Sequence, residues 1–254
     1  MSELWEQATG ASARFASQAE QYDRYRPRYP AELFVTLLRE ADLTENDLVV
    51  EIGAGTGLAT RPLVASGLRV HAVEPAIELA RLAAEKSPGK ANVVIGSFED
   101  CPLPPRARLV AAFNAWHWVN PSVALDRAAE LLEPQGSLAL VWTEVSSWGP
   151  PQFEKRLAEL SGAPWPKVMP HVLESLGPVR SDPRFGDLRV FHHPFERTLD
   201  GASYVAVTQT YGGLRSADEY DALQRMIRED FGNAVVKQED AVLYISCVHS
   251  GRSG

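Results

Sequence analysis

The chain has 254 residues, 45% hydrophobic and 23% charged, with a formal net charge of -8. These proportions suit one folded domain with a full core and exclude a chain that is mainly disordered, while the acidic balance argues against a polyanion such as nucleic acid as partner. Two cysteines, Cys101 and Cys247, stand far apart without a neighbouring cysteine, so no metal or redox pair is spelled out and a reducing compartment fits.

The first ten residues lack the basic start and apolar core of a signal peptide, and no apolar run approaches membrane-spanning length. The expectation is a cytoplasmic protein without membrane contact. Two helical segments follow, Ala11 to about Gln21 and Ala31 to Glu40, the second carrying Leu33, Phe34, Leu37 and Leu38 at helical spacing behind Pro30. The joint between them holds Tyr22, Arg24, Tyr25, Arg26, Arg28 and Tyr29. On the residues alone these are either tyrosines packing a flap with arginines in solvent, or guanidinium groups waiting for a carboxylate.

Leu48 to Gly57 reads Leu-Val-Val-Glu-Ile-Gly-Ala-Gly-Thr-Gly, a buried parallel strand running into a glycine turn. Glycines there allow positive φ and close approach of a ligand, and the N–H groups opening the next helix face the same crevice. A dinucleotide fingerprint would need glycine where Leu58 stands, and a phosphate-cradling loop would need a lysine after Gly57. What remains is Glu51 with Gly53, Gly55 and Gly57, and a second acid, Glu74, closing the next strand, where it can accept both hydroxyls of a ribose.

Beyond the turn the pattern alternates: a helix from Leu58 to Ser66, a strand Arg69 to Val73, a helix Ala76 to Glu85, strands Asn92 to Ile95 and Leu109 to Phe113, a helix Val123 to Leu132 and a strand Ser137 to Thr143. Such alternation with short links predicts a parallel sheet with right-handed crossovers and ligand-facing residues at the carboxyl ends of its strands. Residues 144–187 are rich in proline and tryptophan, with helical pieces near Gln152 to Leu160 and His171 to Leu176. A strand Leu188 to Arg197, helices Gly201 to Gln209 and Ala217 to Phe231, and a closing strand Val242 to Val248 complete the reading.

The ordered set Tyr22-Asp-Arg-Tyr-Arg-Pro-Arg-Tyr-Pro30, Glu51-x-Gly-x-Gly-x-Gly57, Val73-Glu-Pro75, Gly96-Ser-Phe-Glu-Asp-Cys-Pro-Leu103 and Ala115-Trp-His-Trp-Val-Asn-Pro121 covers most of the chain. It resembles the class I S-adenosylmethionine-dependent methyltransferases, and within them the small-molecule group that includes the trans-aconitate type. The resemblance implies a doubly wound α/β fold with a mostly parallel seven-stranded sheet, a helical flap over residues 1–45, a cofactor-binding core over 46–143, a substrate cap from 144–187 and 198–235, and closing strands at 188–197 and 241–249. It implies S-adenosylmethionine as cofactor, held by Tyr22, Arg26, Glu51, Gly53, Ala54, Gly55, Gly57, Glu74, Pro75, Ser97, Phe98, Glu99, Asn114 and Trp116, and no metal.

The chain departs from the family pattern at Ser97, where an acid for the adenine amine is usual, leaving Ser97, the Phe98 backbone and Glu99 as alternatives. Arg108 replaces an aspartate, and Thr210-Tyr-Gly-Gly-Leu-Arg215 carries glycine for the serine of a Tyr-Ser-x-x-Arg segment. Asn114-Ala-Trp-His lacks the Asn-Pro-Pro-Tyr arrangement of enzymes that methylate amino groups of bases or amides. The implied activity is methyl transfer to a small molecule, at a carboxylate or hydroxyl oxygen. Arg26, Arg28 or Arg215 would orient a carboxylate, and His117 or Tyr211 would take a hydroxyl proton. A binding protein of the same fold and a nicotinamide oxidoreductase are the competing readings.

Overall fold

The computed structural model describes residues 23–87, 89, 91–167, 170–211 and 214–249, without the side chains of Pro170, Thr210 and Tyr211. The helix expected over Ala11 to Gln21, and Tyr22, lie outside the described residues. Helix α1 (Ala31–Glu40) opens behind Pro30 and buries Leu33, Phe34 and Leu37. Strand β1 (Leu48–Ile52), α2 (Thr60–Ala65), β2 (Arg69–Glu74), α3 (Ile77–Lys86), β3 (Ala91–Ile95) and β4 (Ala107–Phe113) follow. After a short 3-10 turn at Trp116–Trp118 come α4 (Ala124–Leu131), β5 (Leu132–Ser147), α5 (Pro151–Ser161), α6 (Pro170–Ser181), β6 (Arg189–Leu199), α7 (Gly201–Tyr211), α8 (Ala217–Asp230) and β7 (Val235–Cys247).

The seven strands form one sheet in the order β3-β2-β1-β4-β5-β7-β6. Neighbours from β3 to β5 are parallel, and β7 runs antiparallel to both β5 and β6. The chain therefore moves outward one way from β1 and the other way from β4. The reversal between these two strands opens a crevice at their carboxyl ends, as in other doubly wound sheets.

Strand β1 is apolar throughout its first three residues because helices cover both faces of the sheet. Val49 and Val50, both fully buried, point to opposite faces. Val49 joins Leu33 and Leu37 of α1 and Leu63 of α2; Val50 joins Leu131 of α4, Leu176 of α6 and Trp142. A third core lies beyond the end of β5, where Phe153 and Leu157 of α5 pack with Tyr204 of α7 and Leu223 and Ile227 of α8.

Two strands extend further than their hydrophobic pattern. Strands β5 and β7 pair from Ser137↔Cys247 out to Ser147↔Gln238, past the Val242 expected as the start of the closing strand. Lys237 and Glu239 occupy inward positions there, exposed by 0% and 1%, so the alternation is intact but two of its inward residues are charged. In α2 the helix begins after a turn over 55–59, and Pro62, third in the helix, sits where its missing N–H costs nothing. Among the described residues no helix is long and apolar enough to cross a membrane.

Because the cap helices have a core of their own, damage to it should leave the cofactor crevice intact. Phe153 is fully buried and meets Tyr204 and Phe231 edge to face at 5.1 and 5.2 Å between ring centres. Phe153→Ala is expected to cost about 3–5 kcal/mol in urea denaturation. Hydrogen exchange should show the lost protection concentrated in α5, α7 and α8, with β1 to β4 retaining theirs.

Candidate cofactor and acceptor site

The glycines after β1 have different neighbours. A side chain at Gly53 would stand 2.5 Å from the Ala115 Cβ, so this glycine lets the ends of β1 and β4 close together, and one at Gly57 would press on Ala83 of α3. Gly55 has φ of +58°, and a Cβ there would meet no protein atom within 4 Å. The space over Gly55 belongs to the cleft, whose walls include Tyr29, Glu51, Ala54, Thr56 and Phe113.

Glu74, at the end of β2 and 5% exposed, braces the turn. Its Oε2 accepts the Gly55 N–H at 2.8 Å and its Oε1 accepts the Ala76 N–H at 2.9 Å. Burial raises its pKa, and these two backbone donors oppose that rise. Pro75 follows at the exposed rim. Glu51 lacks such bracing: it is 1% exposed and its buried Oε2 has no hydrogen-bond partner. Burial pushes its pKa up to about 8, against an ordinary 4.5; the Thr60 hydroxyl and the Arg61 charge oppose that rise and the nearby Glu74 charge adds to it.

Asn114 turns the chain at the end of β4 with φ of +53°. Its Oδ1 accepts the Thr143 N–H at 2.9 Å, and its Nδ2 donates to the Tyr29 hydroxyl at 2.8 Å and to Thr143 Oγ1 at 3.3 Å. It thus ties β4 to β5 and holds Tyr29 against the cleft, rather than presenting a free amide. Tyr29 also meets Phe113 at 5.2 Å between ring centres. Trp116 is 6% exposed and belongs to the sheet-face core.

The loop after β3 stands outside this cleft. Ser97 Oγ donates to Asp100 Oδ2 at 2.9 Å and accepts from the Asp100 N–H at 3.2 Å; Phe98 is buried in the sheet-face core under the Arg127 guanidinium. Glu99 Oε1 accepts the Asn120 N–H at 2.7 Å, joining this loop to the one after β4.

His117 stacks on His171 of α6, with 3.9 Å between ring centres, and its Nδ1 accepts the indole N–H of Trp142 at 3.3 Å. Burial, His171 and the positive charge of Arg26 lower its pKa to about 3. The ring is neutral, and because an indole can only donate, its proton must sit on Nε2. His117 therefore offers an N–H donor on Nε2, while its Nδ1 lone pair is taken by Trp142. Tyr211 ends α7 with its side chain outside the described residues, while Arg28 and Arg215 are exposed.

What anchors the flap has no mark in the local sequence. Asp23 is buried, with its Oδ1 3.1 Å from Arg61 Nη2 and its Oδ2 2.5 Å from Lys86 Nζ; Arg61 also donates to the Thr56 carbonyl at 3.0 Å. Burial alone would raise the Asp23 pKa, but Lys86, Thr56 and Arg61 together outweigh it and hold it low. Residues 23–29 are thereby fixed at Asp23 to α2 and α3 and at Tyr29 to Asn114, across the mouth of the glycine turn.

Residues 50–140 match a family described as a methyltransferase domain. An uncharacterized methyltransferase of Mycobacterium tuberculosis (strain H37Rv) is 38% identical over 132 residues, 52% of each chain, and one of Schizosaccharomyces pombe is 31% identical over 130 residues, 50% of this chain and 51% of that one. The chain spans about half the length of the curated relatives it matches. Among solved structures, a protein of Anaeromyxobacter dehalogenans described as a candidate type II methyltransferase superposes with a TM-score of 0.65 at 22% identity, over 89% of this chain and all of that one. A phosphoethanolamine N-methyltransferase of Haemonchus contortus, solved with S-adenosylhomocysteine, gives 0.53 at 15% identity over 93% and 58%. The cyclase SpnF gives 0.51 at 12% identity over 87% and 81%.

If the space over Gly55 is where a ligand lies, a methyl group there should obstruct it. Gly55→Ala is expected to cost about 1–2 kcal/mol of stability through its positive φ and to weaken S-adenosylhomocysteine binding at least tenfold by calorimetry. Glu74→Ala should weaken it similarly by releasing the turn. Folded variants of both that bind as tightly as the parent would disprove the assignment.

Proposed function

Because residues 50–140 match a methyltransferase domain and the chain shares the fold of a solved candidate methyltransferase, we propose that it uses S-adenosylmethionine to methylate a small molecule at oxygen, a carboxylate ahead of a hydroxyl. The observation that carries the reading is the open space over Gly55, flanked by a braced Glu74 and by a buried Glu51 oxygen without a hydrogen bond. A buried carboxylate oxygen without a donor suits a cationic group, and a carboxylate at the end of β2 suits a ribose. When bound, the cofactor supplies a methyl group on a positively charged sulfur.

The chain's own part is to hold, shield and align. Glu74 and the Gly55 backbone would hold the nucleoside, Glu51 would face the ligand's positive charge, and Tyr29 with residues 23–28 would exclude water. Methyl transfer gains most from holding donor and acceptor in line. His117 can donate a hydrogen bond to an acceptor but cannot readily deprotonate one, and Arg26 adds positive charge beside it. An acceptor that arrives already ionised needs no base, which is why the carboxylate is preferred. The net charge of -8 supports a small-molecule acceptor over nucleic acid, and we place the protein in the cytoplasm. The cyclase among its fold neighbours is the reason to test transfer itself.

Tryptophan fluorescence should respond saturably to S-adenosylhomocysteine and not to NADH. With S-adenosylmethionine, a panel of organic acids and phenols should release S-adenosylhomocysteine with an acid, and no turnover with any member would contradict methylation at these groups.

Glu51 adds a pH signature. A carboxyl raised from 4.5 to about 8 stabilises the ligand-free fold below its ordinary pKa, and that contribution is lost as pH rises through about 8. Binding of a cationic ligand near pH 7 should expel a proton, seen as a buffer-dependent enthalpy in calorimetry. Glu51→Gln should abolish that dependence, weaken binding and raise the melting temperature of the free protein at pH 8 more than at pH 5.

A further inference from the structure

Where β6 and β7 run beyond the sheet, Arg197 pairs in register with Lys237. Lys237 Nζ donates to Glu239 Oε1 at 2.7 Å and lies 4.4 Å from the centre of the Trp148 ring. Arg197 Nε donates to the other oxygen, Oε2, at 2.5 Å, and Arg197 Nη1 donates to the Tyr25 carbonyl at 3.0 Å. Burial would raise the Glu239 pKa, but Lys237 and Arg197 keep it below the ordinary carboxylate value. The guanidinium is therefore fixed at two of its three nitrogens, by an anion on one side and the flap backbone on the other.

Its third nitrogen, Nη2, is buried with no hydrogen-bond partner. A guanidinium cannot shed its proton to escape such a position, so the missing element is an acceptor, and an anionic oxygen fits best. The position lies between two parts of the fold. Tyr25 precedes Arg26, whose charge reaches His117, and Trp148 leads from β5 into the cap, so Arg197 stands where flap and cap meet.

We propose that Arg197 is a recognition residue that binds an anionic oxygen of the acceptor, a carboxylate or a phosphate, at a point away from the methylated atom. The ligand's being the acceptor rests on the methyl-transfer reading; the anion site itself does not. The other role open to Arg197 is purely to pin the flap through Tyr25, and that role calls for no anion.

The test uses the full chain saturated with S-adenosylhomocysteine and labelled with nitrogen-15 at arginine, titrated with acetate and with inorganic phosphate. The Arg197 side-chain signals, assigned with Arg197→Lys, should shift saturably with a midpoint on the order of 10 mM or tighter. In Arg197→Lys, binding of the same anion, followed by thermal shift, should weaken at least tenfold while S-adenosylhomocysteine affinity stays within twofold. Acetate alone would identify a carboxylate acceptor and phosphate alone a phosphorylated one. No saturable shift at Arg197 with either anion overturns the proposal, as does equal binding by the variant. If the variant does not fold, the parent titration still decides, following the guanidinium signals without assignment by substitution and with Lys237→Arg as second probe. Failure of the parent to bind S-adenosylhomocysteine would instead strike the methyl-transfer reading and leave the anion titration to be read in the free protein.

Discussion

The site depends on a carboxylate that bridges two strands. Glu74 accepts one N–H from the glycine turn after β1 and one from the start of α3, so the ends of β1 and β2 share a single charged brace. A charge-assisted hydrogen bond to a backbone N–H fixes a turn more firmly than a neutral one. With Gly55 held in this way, the crevice that the reversal of strand order opens has a defined floor, open where a side chain would otherwise project.

Four acids around this edge of the sheet are buried, and each is compensated differently. Glu74 has backbone donors, Asp23 has Arg61 and Lys86, and Glu239 has Lys237 and Arg197. Glu51 alone of these four keeps an oxygen with no partner. Desolvating a charge without a partner is costly, so the neutral acid is favoured while the site is empty. The three paired acids hold the turn, the flap and the cap in place. The unpaired one is left to respond to what binds.

The core of this arrangement was legible because it is local in sequence. Leu48 to Gly57 announces its strand and turn within ten residues, and Glu74 follows from the end of the next apolar run. The flap's anchors were hidden because Asp23 meets Arg61 and Lys86 across 38 and 63 residues, with nothing in the spacing to pair them. The early part of β7 was hidden because charge at Lys237 and Glu239 breaks the apolar alternation that marks a strand. His117 could be placed near the site, but its role depends on a hydrogen bond from Trp142, and only coordinates show which nitrogen that bond occupies. The burial of Trp116 in the sheet-face core, and the hydrogen bonds of Asn114 with Tyr29 and Thr143, bring together residues that the local sequence does not pair.

The central claim is that the gap over Gly55 and the unpaired oxygen of Glu51 belong to one ligand. A crystal structure of the protein grown with saturating S-adenosylhomocysteine addresses it most directly. The account predicts ligand density over Gly55 with a donor within hydrogen-bond distance of Glu51 Oε2 and Glu74 still holding the turn. Density elsewhere, or a bound ligand that leaves Glu51 Oε2 without a partner, would contradict it.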